Sequence, residues 1–533
     1  MKLLLNSLFS PLLLLAFCLN GMAQTAWDDT QKKKWPEGVK EISVKSSVDG
    51  AEQKALFFAP TNPSEKRPLI VSLHTWSGDY TQLDPLVFKV VEKGYYYVHP
   101  DFRGPNNRKE ATGSKLVISD IEDIIQHLLK TERIDPSEVH IVGVSGGGYA
   151  TLLCYSRLKL PVKSFSAWVP ISDLESWYHE TSRRNLAYAG QILKSTSDNG
   201  TPTVTEMRSR SPLFDTIKNR PSELFIYTGV NDGYTGSVPI TQSIQFYNKL
   251  AKRNKDKVTD KEIITLLSQR QLSHVSGPFL EGRKLYVQKK SGNVGLRIFD
   301  GTHEQLTQVA LGLIPVQGQK ANPTSMRLLA IGASNEQPPN SWVNQLVGTL
   351  PFSNIVNYSI SGNTVGFNNL DNPKLNTLRN LDSLVQMASA KNYQEPFDYI
   401  TIALGTNDCK AIFAADFEVV KKNYQALLDK LQSSKLYAPH KTRLILMTPP
   451  PIDHTKAIAK YEGGNECVRR LNQFLRQLAT ERHLLILDTF SSLSVGFEAK
   501  TTDGVHLSTD AQRSIAEELI RFVEADRKRG GKE

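Results

Sequence analysis

Two sets of serine, histidine and aspartate residues stand in this 533-residue chain where such groups can act together. In the first, Gly143, Ser145 and Gly147 form a G-x-S-x-G within V-H-I-V-G-V-S-G-G-G-Y-A, from Val139 to Ala150. A serine on a sharp strand-to-helix turn needs neighbours without side chains, so that Oγ projects clear and a substrate can approach it. Asp232 ends G-V-N-D and His303 ends D-G-T-H further along the chain. In the second set, Ser334 lies in G-A-S-N, and Asp503 and His506 share D-G-V-H. A serine hydroxyl is a poor nucleophile until a histidine takes its proton, and a carboxylate fixes the imidazole tautomer and stabilises its cation. Both sets suit acyl transfer through an acyl-serine.

For these groups to meet, each must sit at the end of an element that holds it. Val139 to Val144 reads as a buried strand and Tyr149 to Leu158 as an apolar-rich helix packed beneath it. Before them, Glu41 to Ser46 and Ala55 to Ala59 read as an antiparallel hairpin. Leu69 to Leu73 is a strand ending in His74-Thr75-Trp76-Ser77-Gly78, and Tyr95 to His99 closes on Pro100-Asp101-Phe102-Arg103-Gly104. Val117, Ile121, Ile124, Ile125 and Leu128 recur at helical spacing. Phe165 to Val169, Leu224 to Tyr227 and Val294 to Phe299 are further strands, the last two leading into Asp232 and His303. Such alternation predicts an α/β fold with a mainly parallel sheet between helices, binding its ligands at the carboxyl ends of the strands.

A polar stretch with glycine and proline, Gln317 to Pro323, reads as a linker, and a second strand-helix series follows. Met326 to Ile331 leads into Gly332-Ala333-Ser334-Asn335, Ile355 to Ile360 into Ser361-Gly362-Asn363, and Tyr399 to Leu404 into Gly405-Thr406-Asn407-Asp408. Leu444 to Met447 runs into a triple proline and Leu484 to Leu487 into Asp488. The expected organisation is a signal peptide over 1–23, one α/β domain over 25–314, a linker over 315–325, a second over 326–526 and a polar tail over 527–533.

Composition narrows the class. With 40% hydrophobic and 22% charged residues the chain is neither disordered nor fibrous. Lys2, an apolar core and the small residues near Ala23 read as a secretory signal, so the expected location is the periplasm or the outside of the cell. No later apolar run approaches the ~20 residues that span a bilayer. Three further cysteines, Cys154, Cys409 and Cys467, make neither a disulfide framework nor a metal cluster; Cys409 and Cys467 can pair, though spacing does not decide it. No H-E-x-x-H and no phosphate-binding loop is present, and the reading requires no metal and no cofactor. The net charge of +10 favours an acidic polymer, outside the cell a polysaccharide rather than nucleic acid.

On these blocks, with D-F-R-G at Asp101 to Gly104 and Val238-Pro239 after G-x-x-D, residues 25–314 resemble an α/β-hydrolase of the prolyl-oligopeptidase branch. The resemblance implies Ser145 as nucleophile, Asp232 as acid and His303 as base, with backbone N–H groups of Gly146 and of Thr75 or Trp76 as oxyanion hole. Thr75 stands where that family has glycine. From Met326 to Asp526 the G-T-N-D and D-G-V-H blocks resemble the SGNH, or GDSL, hydrolases, which have a flavodoxin-like fold. That resemblance implies Ser334 as nucleophile, His506 as base and Asp503 as acid, with Ser334 N–H, Gly362 N–H and the Asn407 amide donating to the oxyanion. Ala333 departs from the usual G-D-S, so the hydrogen bonding of that loop must differ.

Between Ser172 and Pro212 an excursion carries Trp177, Tyr178, Arg183, Arg184 and Tyr188, and reads as a lid that stacks sugar rings and meets acidic groups; Trp76 and Arg103 complete the substrate-binding candidates. The expected function is a secreted two-site serine carbohydrate esterase that removes acetyl or methyl groups from plant polysaccharide, pectin favoured; the SGNH resemblance implies deacetylation at Ser334, and acyl or methyl esters of pectin fall to Ser145. Acetylxylan or feruloyl esterase, a serine peptidase with a passenger domain, and a non-catalytic polysaccharide-binding protein are the alternatives.

Overall fold

The computed structural model describes residues 34–530 apart from 62, 218–219, 273–277, 319–321 and 414–415. The signal-peptide segment and part of the linker lie outside the described residues.

Two sheets carry the two sets of residues. Among the described residues the first has ten strands: β1 Lys40–Lys45, β2 Glu52–Phe58, β3 Arg67–Leu73, β4 Tyr96–Pro100, β5 Ile134–Val144, β6 Ser164–Trp168, β7 Glu223–Gly229, β8 Phe279–Leu280, β9 Arg283–Ser291 and β10 Val294–Phe299. Their order is β1-β2-β4-β3-β5-β6-β7-β10-β9-β8. The run from β4 to β10 is parallel, and antiparallel pairs close both edges. Side chains alternate across a strand, so Leu69 and Val71 pack into one core layer and Ile70 into the other, with Tyr97, Trp168 and Tyr227. The sequence reading does not contain β9, whose R-K-L-Y-V-Q-K-K-S pattern is basic; near a sheet edge lysines belong on a strand because they discourage pairing with another chain.

The second sheet holds β11 Arg327–Gly332, β12 Asn354–Ser359, β13 Tyr399–Ala403, β14 Arg443–Met447 and β15 Leu485–Leu487, all parallel, in the order β12-β11-β13-β14-β15. This is the 2-1-3-4-5 order of the flavodoxin-like fold. Leu329 and Ile331 face one layer of helices, Leu328 and Ala330 the other. The last helix, Thr509–Gly530, continues through most of the expected tail. Cys409 and Cys467 form a disulfide that ties the loop after β13 to the helix Gly464–Glu481, and Cys154 is a buried free thiol. Among the described residues no helix is long and apolar enough to cross a membrane, and no group of three or more His, Cys, Asp or Glu could hold a metal.

The second domain buries two carboxyls under its strand ends. Glu336 accepts hydrogen bonds from Ala333 N–H (2.8 Å) and Trp342 Nε1–H (3.2 Å), and burial pushes its pKa up to about 7. Asp408 accepts from Val365 N–H with both oxygens (2.9 and 3.1 Å); burial likewise raises it to about 7, against the pull of that N–H and of Lys410. A carboxyl whose folded pKa exceeds its unfolded value binds protons more tightly when folded. Its favourable contribution is complete below about pH 4 and is lost as pH rises through about 7. The melting temperature of the second domain should therefore fall between pH 5 and pH 8, and Glu336→Gln should flatten that slope in thermal unfolding. Equal slopes for the variant and the parent would contradict the assignment.

Candidate active sites

Ser145 sits between β5 and the helix Gly146–Arg157 with φ 57° and ψ −116°, a conformation that costs of order 1–3 kcal/mol and is held by the surrounding packing. Gly146 must be glycine, since a Cβ there would lie 2.3 Å from the backbone nitrogen of Trp76. The same closeness brings the backbones of Gly146 and Trp76 together, the pair expected from the sequence if Trp76 is the second oxyanion donor. Thr75 is not part of that pair, a correction to the sequence reading. Its N–H donates to Oε1 of Gln82 (3.0 Å), so the polar turn uses that donor internally.

Asp232 follows β7 and His303 follows β10, parallel neighbours in the sheet. His303 Nδ1 lies 2.8 Å from Asp232 Oδ2, while Asp232 Oδ1 accepts from Gly233 N–H (2.9 Å) and Val238 N–H (3.0 Å). The carboxylate is thus fixed by three donors, and the long loop from Gly233 to Ser237 is what wraps it. Gly236 presses on both residues: a Cβ would meet Asp232 Oδ1 at 2.3 Å and His303 Cβ at 2.7 Å. The site is enclosed, with Ser145 2% exposed and the Asp232 side chain fully buried.

The excursion after β6 folds as helices Leu174–Arg183 and Ala187–Thr196. Its aromatics turn inward. The indole of Trp177 meets that of Trp76 edge-on at 4.7 Å and stacks on Tyr188 at 5.0 Å, and both tryptophans are fully buried. Trp177 Nε1–H donates to Ser237 O (2.9 Å) and Trp76 Nε1–H to Gln191 Oε1 (2.8 Å). Both rings are buried and offer no face to a sugar, which corrects the stacking expectation; Trp177 instead holds the loop around Asp232 and Trp76 the helix Ala187–Thr196. Tyr178 is partly exposed, and Arg183 and Arg184 are exposed. Arg184 donates to Gly236 O (2.8 Å), on the loop that wraps Asp232. Arg103 is also corrected. Its guanidinium is buried and bonded to Asp49 (2.7 Å), Asp120 (2.5 Å) and Ser46 (3.0 Å), so it clamps the first hairpin rather than presenting its cation at the surface.

In the second domain the relay is continuous. His506 Nε2 lies 3.0 Å from Ser334 Oγ, and its Nδ1 lies 2.7 Å from Asp503 Oδ2. Partial burial pushes the Asp503 carboxyl up, but the N–H and ring of His506 and the N–H of Val505 outweigh it and hold the pKa below the ordinary value. Asn407 is oriented from both ends: Tyr461 O–H donates to its Oδ1 (3.1 Å), and its Nδ2 donates to Asn363 O (3.0 Å), the residue after Gly362. The bond to Asn363 uses one of the two amide hydrogens. Unlike the first site this one is open, with the side chains of His506 and Asp503 46% and 53% exposed. A small cleft beside Ser334 is lined by Ala333, Glu336, Thr406, Thr448 and Pro449 among others.

Three residues that sequence reasoning did not single out hold this geometry. Asn335 latches the histidine loop, donating to Val505 O (3.2 Å) and accepting from Leu507 N–H (2.9 Å). Glu336 binds the N–H of Ala333 and so supplies the anchoring that an acidic residue at position 333 does not provide here. Asn363 donates to Gly332 O (3.2 Å) and joins the first two strand-end loops. The available signal was proximity, since each adjoins a block residue.

Comparison with known proteins agrees with this division. The prolyl oligopeptidase family model matches residues 82–276, which include Ser145 and Asp232, and the GDSL-like lipase/acylhydrolase family model matches 322–513, which include Ser334, Asn407, Asp503 and His506. A GDSL esterase/lipase of Arabidopsis thaliana, CPRD49, is 28% identical over 92 residues, 15% of this chain and 36% of that one. An acylaminoacyl peptidase in complex with Z-Gly-Gly-Phe-chloromethyl ketone is 25% identical, over 40% of this chain and 34% of its own, with a TM-score of 0.34. Oligopeptidase B from Leishmania major is 14% identical, over 50% and 33%, with a TM-score of 0.35. This chain therefore spans about a third of the length of each of these relatives. It joins a prolyl-oligopeptidase-family α/β-hydrolase domain to a GDSL-like lipase/acylhydrolase domain, two serine hydrolase families in one protein.

Proposed function

We propose that the protein is a secreted two-site serine esterase that removes acyl or methyl ester groups from a polysaccharide, an acidic pectin-like polymer being favoured. The observation that carries the reading is the unbroken line from Asp503 through His506 to Ser334, with contacts of 2.7 and 3.0 Å. In each site the serine oxygen attacks the ester carbonyl while histidine Nε2 takes its proton. Collapse of the tetrahedral intermediate breaks the bond to the leaving alcohol, which receives that proton. Water, deprotonated by the same histidine, then releases the acid and restores the serine. Ser334 N–H, Gly362 N–H and Asn407 Nδ2 would hold the oxyanion in the second site, Trp76 N–H and Gly146 N–H in the first.

The two environments support different tasks. The exposed histidine and aspartate of the second site suit an ester presented on a polymer, and acetyl removal is assigned to Ser334. The enclosed first site, with the Arg184 cation at its rim, suits a group next to a carboxylate, and acyl or methyl esters of pectin are assigned to Ser145. A second reading, a peptidase at Ser145, is favoured by one observation, the match of 82–276 to the prolyl oligopeptidase family.

Two measurements test this. Acetate and methanol release from acetylated, methylated pectin and from acetylxylan should lose one product in Ser145→Ala and the other in Ser334→Ala. Unchanged ester release in both, or peptide cleavage without ester release by the parent, would replace the esterase reading with the peptidase one. In a Ser145→Ala background, Asn407→Ala should lower kcat by about 10²–10³-fold with little change in KM, because the lost donor acts on charge that develops only in the transition state. An unchanged kcat would remove Asn407 from the oxyanion hole.

A further inference from the structure

The loop that carries His303 is held by both domains. β10 ends with a shift of register against β9 at Ile298/Phe299, a bulge of the kind that re-aims the residues beyond it, and Asp300-Gly301-Thr302 then lead to His303. On one side Gly301 O accepts from Asn231 N–H (2.9 Å), tying the loop to that of Asp232. On the other, Asp300 N–H donates to Lys284 O at the start of β9 (2.8 Å).

That start of β9 is where the second domain comes in. Phe279, Glu281 and Gly282 donate their N–H groups to the carbonyls of Phe352 (3.2 Å), Pro351 (3.0 Å) and Ser353 (3.1 Å), a ladder between the β8–β9 hairpin and the loop before β12. Tyr393, just past the helix Leu381–Lys391, reaches across with its hydroxyl. The hydroxyl donates to Asp300 Oδ2 (3.1 Å) and accepts from Lys284 N–H (3.1 Å), joining the two strands on either side of the bulge. Beyond His303, the short helix Thr307–Ala310 and the turn after it lie against the helix Trp342–Thr349, closely enough that a Cβ at Gly348 would sit 3.6 Å from Gln308 O and one at Gly312 3.4 Å from Gly348 O.

We infer that the GDSL-like domain is a positioning element of the first active site, with Tyr393 holding, through Asp300, the loop that sets His303 against Asp232. The inference rests on reading Ser145, Asp232 and His303 as a catalytic triad. Tyr393 is 93 residues from Asp300 in sequence and touches no group of either site, so it acts on chemistry only through the loop it holds. The Tyr393 hydroxyl stays protonated, since burial and the Asp300 carboxylate both raise its pKa.

The test uses the full chain with p-nitrophenyl acetate. In a Ser334→Ala background, which isolates the first site, Tyr393→Phe should lower kcat about tenfold and leave KM within about twofold, as expected when a catalytic group is misplaced by less than ~1 Å. In a Ser145→Ala background the same substitution should leave turnover at Ser334 within about twofold. Asp300→Ala should reproduce the first loss, and the double variant should lose no more than the worse single one. An unchanged kcat at Ser145, or equal losses at both sites, overturns the brace while the triad reading stands. Absence of turnover in Ser334→Ala with Tyr393 intact overturns the triad reading, and the brace falls with it.

Discussion

A serine hydrolase site depends on keeping an imidazole ring fixed beside a serine hydroxyl against the freedom of the loops that carry both. A carboxylate on the far ring nitrogen does most of this work, and the two domains supply it in opposite ways. In the second, Asp503 and His506 are three residues apart, so one turn makes the pair, and the carboxylate holds the backbone N–H of His506 as well as its ring. Asn335 then needs only to latch that turn to the serine loop. In the first, 71 residues separate Asp232 from His303, and the pair exists because β7 and β10 are parallel neighbours that end side by side. A pair built from distant segments needs holding from outside: the wrapped loop over Asp232, Trp177 bonded to that loop and the second domain behind His303.

This difference also sets exposure. The local pair can sit at an open surface, because its geometry is nearly self-contained. The distant pair is buried, with the His303 and Asp232 side chains 9% and 0% exposed, where packing replaces local connection. The exposed Arg184 donates to Gly236 O on the loop that wraps the enclosed pair.

Much of the fold was legible because apolar β-branched runs that end in glycine and polar residues can only be buried strands delivering those residues to the carboxyl edge of a sheet. That logic reaches each block residue at a strand end. It does not reach side-chain direction. Nothing in the order of residues shows that Trp177 turns its ring down onto Trp76, that Arg103 is consumed by Asp49 and Asp120, or that Gln82 occupies the N–H of Thr75. Each outcome is decided by a partner far away or in a different element. The Cys409–Cys467 bond was open for the same reason, since 58 residues of separation constrain nothing until the helix Gly464–Glu481 is placed. β9 went unread because its lysines disguise a strand near a sheet edge as a solvated loop.

The central claim is that one chain holds two activated serines. It is tested most directly by saturating the wild-type protein with a fluorophosphonate and measuring the intact mass, with peptide mapping of the adducts. Such a reagent phosphonylates a serine only where a histidine has made it nucleophilic. The account predicts two adducts per chain, on Ser145 and Ser334. A single adduct, or adducts on other residues, would contradict it.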